Sequence, residues 1–181
     1  MASKLTDIEL VSLCRKRNRQ AQKELFDKYA SYGMSIIYRY LPADEVDDVF
    51  LKAFQKVYTY IDTFDARKGT FKSWFARIIV NESINQLHKN KKHVFEELSD
   101  STPYLVEDNI ISSLNVEDIY RSINQLKEPY KTIFNMIFDG YSYKEVSSAT
   151  GVTEVTCRSY YKRSRQMLIQ LLHKIEKTST I

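Results

Sequence analysis

The chain has 181 residues, enough for one or two small domains that each bury a modest core. With 43% hydrophobic residues but only 4 glycines and 3 prolines, its composition excludes wholesale disorder and points to an all-α protein. The net charge of +4 conceals three blocks: residues 1–92 carry +6, residues 93–118 carry −7 and residues 119–181 carry +5. Two basic blocks about an acidic strip suggest two nucleic-acid-facing domains and a linker with a different job.

No stretch approaches the roughly 20 apolar residues that span a bilayer. The opening residues lack the basic-then-apolar pattern of a signal peptide, so the expectation is a cytoplasmic protein with no membrane insertion. Cys14 and Cys157 are far apart and have no partners at ligand spacing. They read as buried thiols rather than as a zinc site or a disulfide.

In chain order, Thr6 and Glu9 form a capping box that opens a first helix through Ile8, Leu10, Val11 and Leu13 to about Arg17. Asn18 can cap a second helix, which runs past Gly33 and is stopped by Pro42. The basic cluster Arg15, Lys16, Arg17 and Arg19 falls at the turn between the two and reads as a solvated surface. A third helix spans about Asp44 to Tyr60, with acids in its first turn and lysines later, as the helix dipole favours. Val46, Val49, Phe50, Ala53, Phe54 and Val57 form its apolar stripe. Asp44, Asp47, Asp48, Leu51 and Gln55 lie outside that stripe or at its edge. No second acidic helix supports a metal cage there, and an acidic face that docks a partner is the better reading.

Residues 61–70 form a loop with a basic tip at Arg67, Lys68 and Gly69. A fourth helix follows from Phe71 to about Lys89, with Phe71, Trp74, Phe75, Ile78 and Ile79 inward. Lys72, Arg77, Asn81, Asn85 and Lys89 share another side, because 77, 81, 85 and 89 repeat every four residues. Basic and amide groups beside aromatics suit a surface that handles unstacked bases. An ordinary core with a solvated polar face is the competing account. After His93 an acidic stretch shows no periodicity, and residues 94–115 read as mobile.

A fifth helix carries Val116, Ile119, Ile123 and Leu126, and Pro129 suits the first turn of a sixth that ends at Gly140. Ser142 and Glu145 form another capping box, Gly151 can end that seventh helix in the left-handed conformation, and Thr153 caps an eighth. This is the layout of a helix-turn-helix. On the eighth helix Cys157, Tyr161, Ser164 and Leu168 recur at helical spacing as the inner side, with Tyr161 rather than Tyr160 facing squarely in. Arg158, Ser159, Lys162, Arg163 and Gln166 fall on the other side, where cations can reach phosphates or guanine edges.

These parts, in this order, resemble an extracytoplasmic-function sigma factor, the minimal promoter-recognition subunit of bacterial RNA polymerase. The matching stretches are Glu24 to Tyr29, Asp47 to Lys52, Lys68 to Asn81, Leu126 to Tyr130, Gly140 to Val146 and Gly151 to Arg163. The resemblance implies an all-α protein of two small helical domains. Residues 1–92 would be the second sigma region, 93–116 a flexible acidic linker and 117–181 the fourth sigma region. It further implies that Asp44, Asp47, Asp48, Leu51 and Gln55 dock on the clamp of the largest subunit of core RNA polymerase. Arg67, Lys68, Lys72, Trp74, Arg77, Asn81 and Asn85 would melt and read the minus-ten element, and Arg158, Ser159, Lys162 and Arg163 would read the minus-thirty-five element. The implied partners are core polymerase, promoter DNA and an anti-sigma factor, with no cofactor, no metal and no enzymatic chemistry. The chain departs from the family's usual glutamine at Asp47, small residue at Val155, and smaller or aliphatic residues at Cys157 and Tyr161. A two-domain helix-turn-helix regulator that acts without core polymerase is the alternative reading. Residues 1–92 show neither the α/β pattern nor the apolar pocket that a sensing domain of such a regulator would bring.

Overall fold

The computed structural model describes residues 5–90 and 116–179, with the side chains of 116 and 176–179 outside that description. Every regular element among the described residues is helical, and the chain divides into two compact units, Met1–Asn90 and Lys91–Ile181. The acidic segment expected to be a linker lies outside the described residues.

In the first unit α1 spans Asp7–Arg15, α2 Arg19–Ile37, α3 Ala43–Tyr60 and α4 Phe71–Asn90, with a single 3-10 turn at Ile61–Thr63. The Thr6–Glu9 capping box forms as its residue types dictate, with the Glu9 carboxylate accepting from the Thr6 amide at 2.7 Å. Two expected ends move. Helix α1 stops at Arg15 instead of Arg17, because Arg17 takes φ 58°, which breaks the helical path. Helix α2 ends at Ile37, a turn short of Pro42, which instead takes the N-cap position of α3. Ile8, read as part of the apolar side of α1, is 64% exposed.

The core of this unit is built from rings. Phe50, Phe54, Phe71 and Phe75 are all but fully buried. Phe26 lies 4.8 Å from Phe54 between ring centroids, Phe54 lies 5.2 Å from Phe75, and Tyr29 lies 5.0 Å from Phe71. These tilted contacts are the arrangement that ring quadrupoles favour. Gly33 makes them possible: a Cβ there would meet Phe50 Cε2 at 2.7 Å and Phe75 Cζ at 2.9 Å. Rings from α3 and α4 thus pack directly against α2 at this glycine.

Polar contacts tie the helices at their ends. Tyr29 donates to Asp7 at 2.6 Å, and Lys28 pairs with the same carboxylate at 2.9 Å. Tyr58 donates to the Gln22 carbonyl at 2.7 Å, and Glu45 accepts from Gln86 and Asn90. Arg15 donates to the carbonyls of Ile61 and Phe64, the latter at 2.6 Å, and so fixes the segment that leads into the loop before α4.

The second unit contains α5 Val116–Gln125, α6 Tyr130–Phe138, α7 Tyr143–Thr150 and α8 Glu154–Ser179. Ile133, Met136, Val146 and Cys157 are fully buried at its centre, with Tyr130 and Tyr160 packed edge to face at 5.1 Å. Here the expectation for the tyrosine pair is reversed: Tyr160 is 2% exposed, whereas Tyr161 is only half-buried, against Phe134. The apolar row of α8 drifts with the 3.6-residue repeat, so position 160 faces the core together with 157 and 164. Both cysteine thiols are free and buried, and burial pushes Cys14 up to about 11.

Candidate nucleic-acid interface

The turn of the helix-turn-helix is set by local chemistry. Ser142 accepts from the Glu145 amide, and the Glu145 carboxylate accepts from the Ser142 amide at 2.8 Å. Gly151 follows α7 at φ 76°, the left-handed value that a side chain would resist. Thr150 then accepts from the Val152 amide, and Thr153 accepts from the Thr156 amide, which starts α8. Between them these bonds end α7 and start α8 within a few residues.

On α8 the buried row is Cys157, Tyr160, Ser164 and Leu168. The opposite side exposes Arg158, Ser159 and Lys162, with Arg163 half-buried at its flank. Arg158 is held in place: its guanidinium sits 4.4 Å from the centroid of the Tyr143 ring and 4.0 Å from Glu154. A cation stacked on an aromatic face loses little freedom when it meets a ligand. Two further residues share this face: Val155, noted in the sequence only as a departure from the family pattern, and Arg165, not singled out there. Val155 is 77% exposed, and Arg165 is exposed one turn beyond Lys162. The helical spacing of both from Arg158 and Lys162 was the available signal.

The second candidate surface lies on the first unit. Thr70 caps α4 by accepting from the Ser73 amide at 3.2 Å. Arg77, Asn81 and Asn85 form an exposed row along that helix, and Trp74 joins it on the same side. Trp74 is half-buried, with Phe64 at 5.7 Å and Phe71 at 5.6 Å between centroids. Its ring is therefore anchored in the core while keeping an accessible part. Asn85 is oriented by donating to Glu82 at 3.1 Å, and Glu82 is itself paired with Lys56.

Lys72 does not join the row. It is nine residues from Asn81, about two and a half turns, and so lies on the opposite side of α4. Its ammonium sits 4.5 Å from the centroid of the Tyr32 ring on α2. In the preceding loop, Arg67 donates to both carboxylate oxygens of Asp65, at 3.0 and 2.8 Å. That bond holds the Asp65 carboxyl below the usual carboxylate range and folds the arginine back over its own turn. Lys68 is exposed at the loop tip.

A third group of expected residues is also brought together. Asp44, Asp47, Asp48, Leu51 and Gln55 are all exposed on one side of α3, opposite the buried Val46, Val49, Phe50, Ala53 and Phe54. Leu51 is 58% exposed in the middle of this acidic row. An apolar side chain ringed by acids suits a protein partner with a complementary basic surface. No group of three or more metal-ligating side chains occurs among the described residues, and none of the described helices is long and apolar enough to cross a membrane.

Comparison with known proteins matches this division. The family model for sigma-70 region 2 covers residues 25–93, and that for sigma-70 region 4 covers residues 117–168. The ECF RNA polymerase sigma-E factor of Escherichia coli strain K12 is 29% identical, covering 93% of this chain and 95% of its own. Its counterpart in Haemophilus influenzae is 26% identical, covering 93% and 96%. Among solved structures, CnrH in complex with the cytosolic domain of CnrY aligns with TM-score 0.51 at 16% identity, over 93% of this chain and 97% of that one. The sigma factor RpoE in complex with the anti-sigma factor NepR from Bartonella quintana aligns with TM-score 0.51 at 21% identity, over 83% and 96%. These two support the helical fold. With region 2 on the first unit and region 4 on the second, in that order and over nearly the full length of its relatives, the chain belongs to the sigma-70 family, within the extracytoplasmic-function group of RNA polymerase sigma factors.

Proposed function

We propose that the chain binds core RNA polymerase, directs it to specific promoters and helps to open them, with no chemistry of its own. The observation that carries this is the pairing of two separate exposed polar faces with the two matched regions: the α4 row on one unit and the α8 face on the other. A reader with two faces can require two promoter elements at once, and the second contact then forms at high effective concentration.

In this reading α8 enters the major groove of the minus-thirty-five element. Arg158 and Lys162 reach base edges or phosphates, Ser159 lies between them and Arg163 approaches from the side. Each good bidentate base contact discriminates by about 1–3 kcal/mol. The minus-ten element meets Trp74, Arg77, Asn81 and Asn85, with Arg67 and Lys68 on the strand backbone. Extruding a base costs a few kcal/mol, and stacking on an aromatic ring returns about 1–3 kcal/mol per base. Trp74 is suited to that role because its ring is already immobilised by Phe64 and Phe71. Lys72, on the other side of α4, acts through a phosphate rather than within the base-reading row. The Asp44 to Gln55 row, with Leu51 as its apolar centre, docks on the clamp of the polymerase's largest subunit. An anti-sigma factor is the further partner, by analogy with the complexes named for the two solved structures.

The test is reconstitution. The purified chain is added to sigma-free core polymerase with a promoter template, and co-purification and initiation are measured. The expected result is a stable complex that starts transcription at defined sites. Failure to co-purify with core, together with DNA binding that is indifferent to core, would replace this reading with that of a free-standing regulator.

A further inference from the structure

The α1–α2 turn, residues 15–19, carries Arg15, Lys16, Arg17, Asn18 and Arg19, and the functional reading above uses none of them. Arg15 is accounted for by its bonds to the carbonyls of Ile61 and Phe64. The other three cations are exposed, and no carboxylate among the described residues forms an ion pair with them.

Two of the three stand where local energetics disfavours them. Arg17 has φ 58°, the left-handed conformation that glycine or asparagine adopts with less strain. Arg19 opens α2, where the helix dipole favours an acid, and that first turn contains no acidic residue. Lys16, at the C-terminal end of α1, is the one cation that the dipole explains. The backbone of the turn is accounted for, since the Arg17 amide donates to the Cys14 carbonyl, the Asn18 amide donates to the Leu13 carbonyl and Asn18 caps α2. Its three exposed charges, however, have no internal partner among the described residues and make the turn a candidate for an external one.

Its position says which. Arg15 clamps the turn against the Ile61–Phe64 segment, and that segment runs directly into the loop bearing Arg67 and Lys68. The anchored turn and the start of the loop are thus neighbours on the first unit, and both carry exposed cations.

We infer that Lys16, Arg17 and Arg19 form a second DNA-backbone contact of the first unit, gripping phosphates of the promoter beyond those met by the Arg67–Lys68 loop. The inference rests on the reading of the chain as a promoter-binding subunit. It assigns these residues affinity without sequence preference, because phosphate contacts position the protein and carry no base information.

The experiment uses the full chain with core polymerase. The probe is a promoter duplex recovered from a randomised pool by the unmodified holoenzyme, with a scrambled duplex as control. Affinity is measured across a potassium chloride series for the unmodified chain and for the Lys16→Gln/Arg17→Gln/Arg19→Gln variant. Each lost phosphate contact lowers the slope of log affinity against log salt by about 0.9, so the triple variant is expected to lose about 2 to 3 from the slope. Its preference for the recovered duplex over the scrambled one stays unchanged. Arg17→Gly alone should lower the slope by about 1 while raising the melting temperature, because it removes the backbone strain together with the charge. That combination separates a lost contact from a damaged fold. An unchanged slope would show a solvated surface and overturn the inference. Loss of core binding by the triple variant would also overturn it, by making the turn a protein-docking face. If the unmodified holoenzyme recovers no duplex, the promoter-binding reading itself fails and this inference falls with it.

Discussion

Each of the two units exposes a polar helix face, and the two faces are supported by different means. The first supports α4 from behind with a packed set of rings, Phe26, Tyr29, Phe50, Phe54, Phe71 and Phe75, closed around Gly33. The second supports α8 from its end, through the capping box at Ser142, the left-handed Gly151 and the Thr153 cap. Both helices pack on a core and both are capped; what differs is the weight of rings behind α4 and the tightness of the turn that starts α8. Under the proposed function, a face that grips an extruded base would gain from a ring anchored like Trp74, and one that enters a groove would need a correctly aimed helix.

The largest effect should come from breaking the ring core. Phe75→Ala removes a fully buried ring that touches α2 and α3 partners, and is expected to cost the first unit about 3–5 kcal/mol. Trp74 is the only tryptophan, so denaturant unfolding followed by its fluorescence reports on this unit alone. Amide exchange in α7 and α8 should stay at its unmodified level. Coupled loss of protection there would deny that the two supports are independent.

A smaller effect should follow from disturbing the turn of the second unit. A Cβ at Gly151 would meet nothing within 4 Å, so Gly151→Ala carries only the left-handed backbone penalty, about 1 kcal/mol. Gly151→Asn should cost less, because asparagine tolerates that conformation. Faster amide exchange at the start of α8 in the order alanine, asparagine, glycine would bear out a conformational origin. Equal effects of alanine and asparagine would point to packing instead.

The smallest concerns the Asp7 carboxylate that joins α1 to α2. Burial raises its pKa, but the hydrogen bond from Tyr29 and the hydrogen bond and charge of Lys28 outweigh that, leaving the group below its ordinary value of 3.8. A carboxyl depressed in the folded state stabilises it above the unfolded pKa, and the contribution is lost as pH falls through the folded value. With the side chain 31% exposed, solvent screening limits the contribution to under about 1 kcal/mol. Asp7→Asn should therefore be slightly less stable near pH 6, with the difference shrinking below about pH 4. A difference that stays constant down to pH 2 would assign the effect to packing of Tyr29 and not to charge.

Much of this was determined by the sequence alone. Periodicity and caps located the eight α-helices of the described residues, because apolar spacing and short-range hydrogen bonds are local properties, and Thr6, Ser142, Gly151 and Thr153 act where their chemistry puts them. The acidic row of α3 and the Arg77–Asn81–Asn85 row of α4 were legible for the same reason. What the tertiary structure decided were matters of contact between distant positions. Nothing in the pattern around Gly33 showed that Phe50 and Phe75 lie against it. The place of Lys72 opposite the α4 row, by contrast, follows from the helical repeat, and the fold decided only that Tyr32 is what it meets there. Tyr160 and Tyr161 are adjacent in sequence, and only the packing of α6 against α8 chose which one to bury. The basic turn at Lys16 to Arg19 looked like an ordinary solvated surface. Its left-handed arginine, and the clamp of Arg15 onto the carbonyls of Ile61 and Phe64, are backbone and long-range facts that no residue pattern encodes.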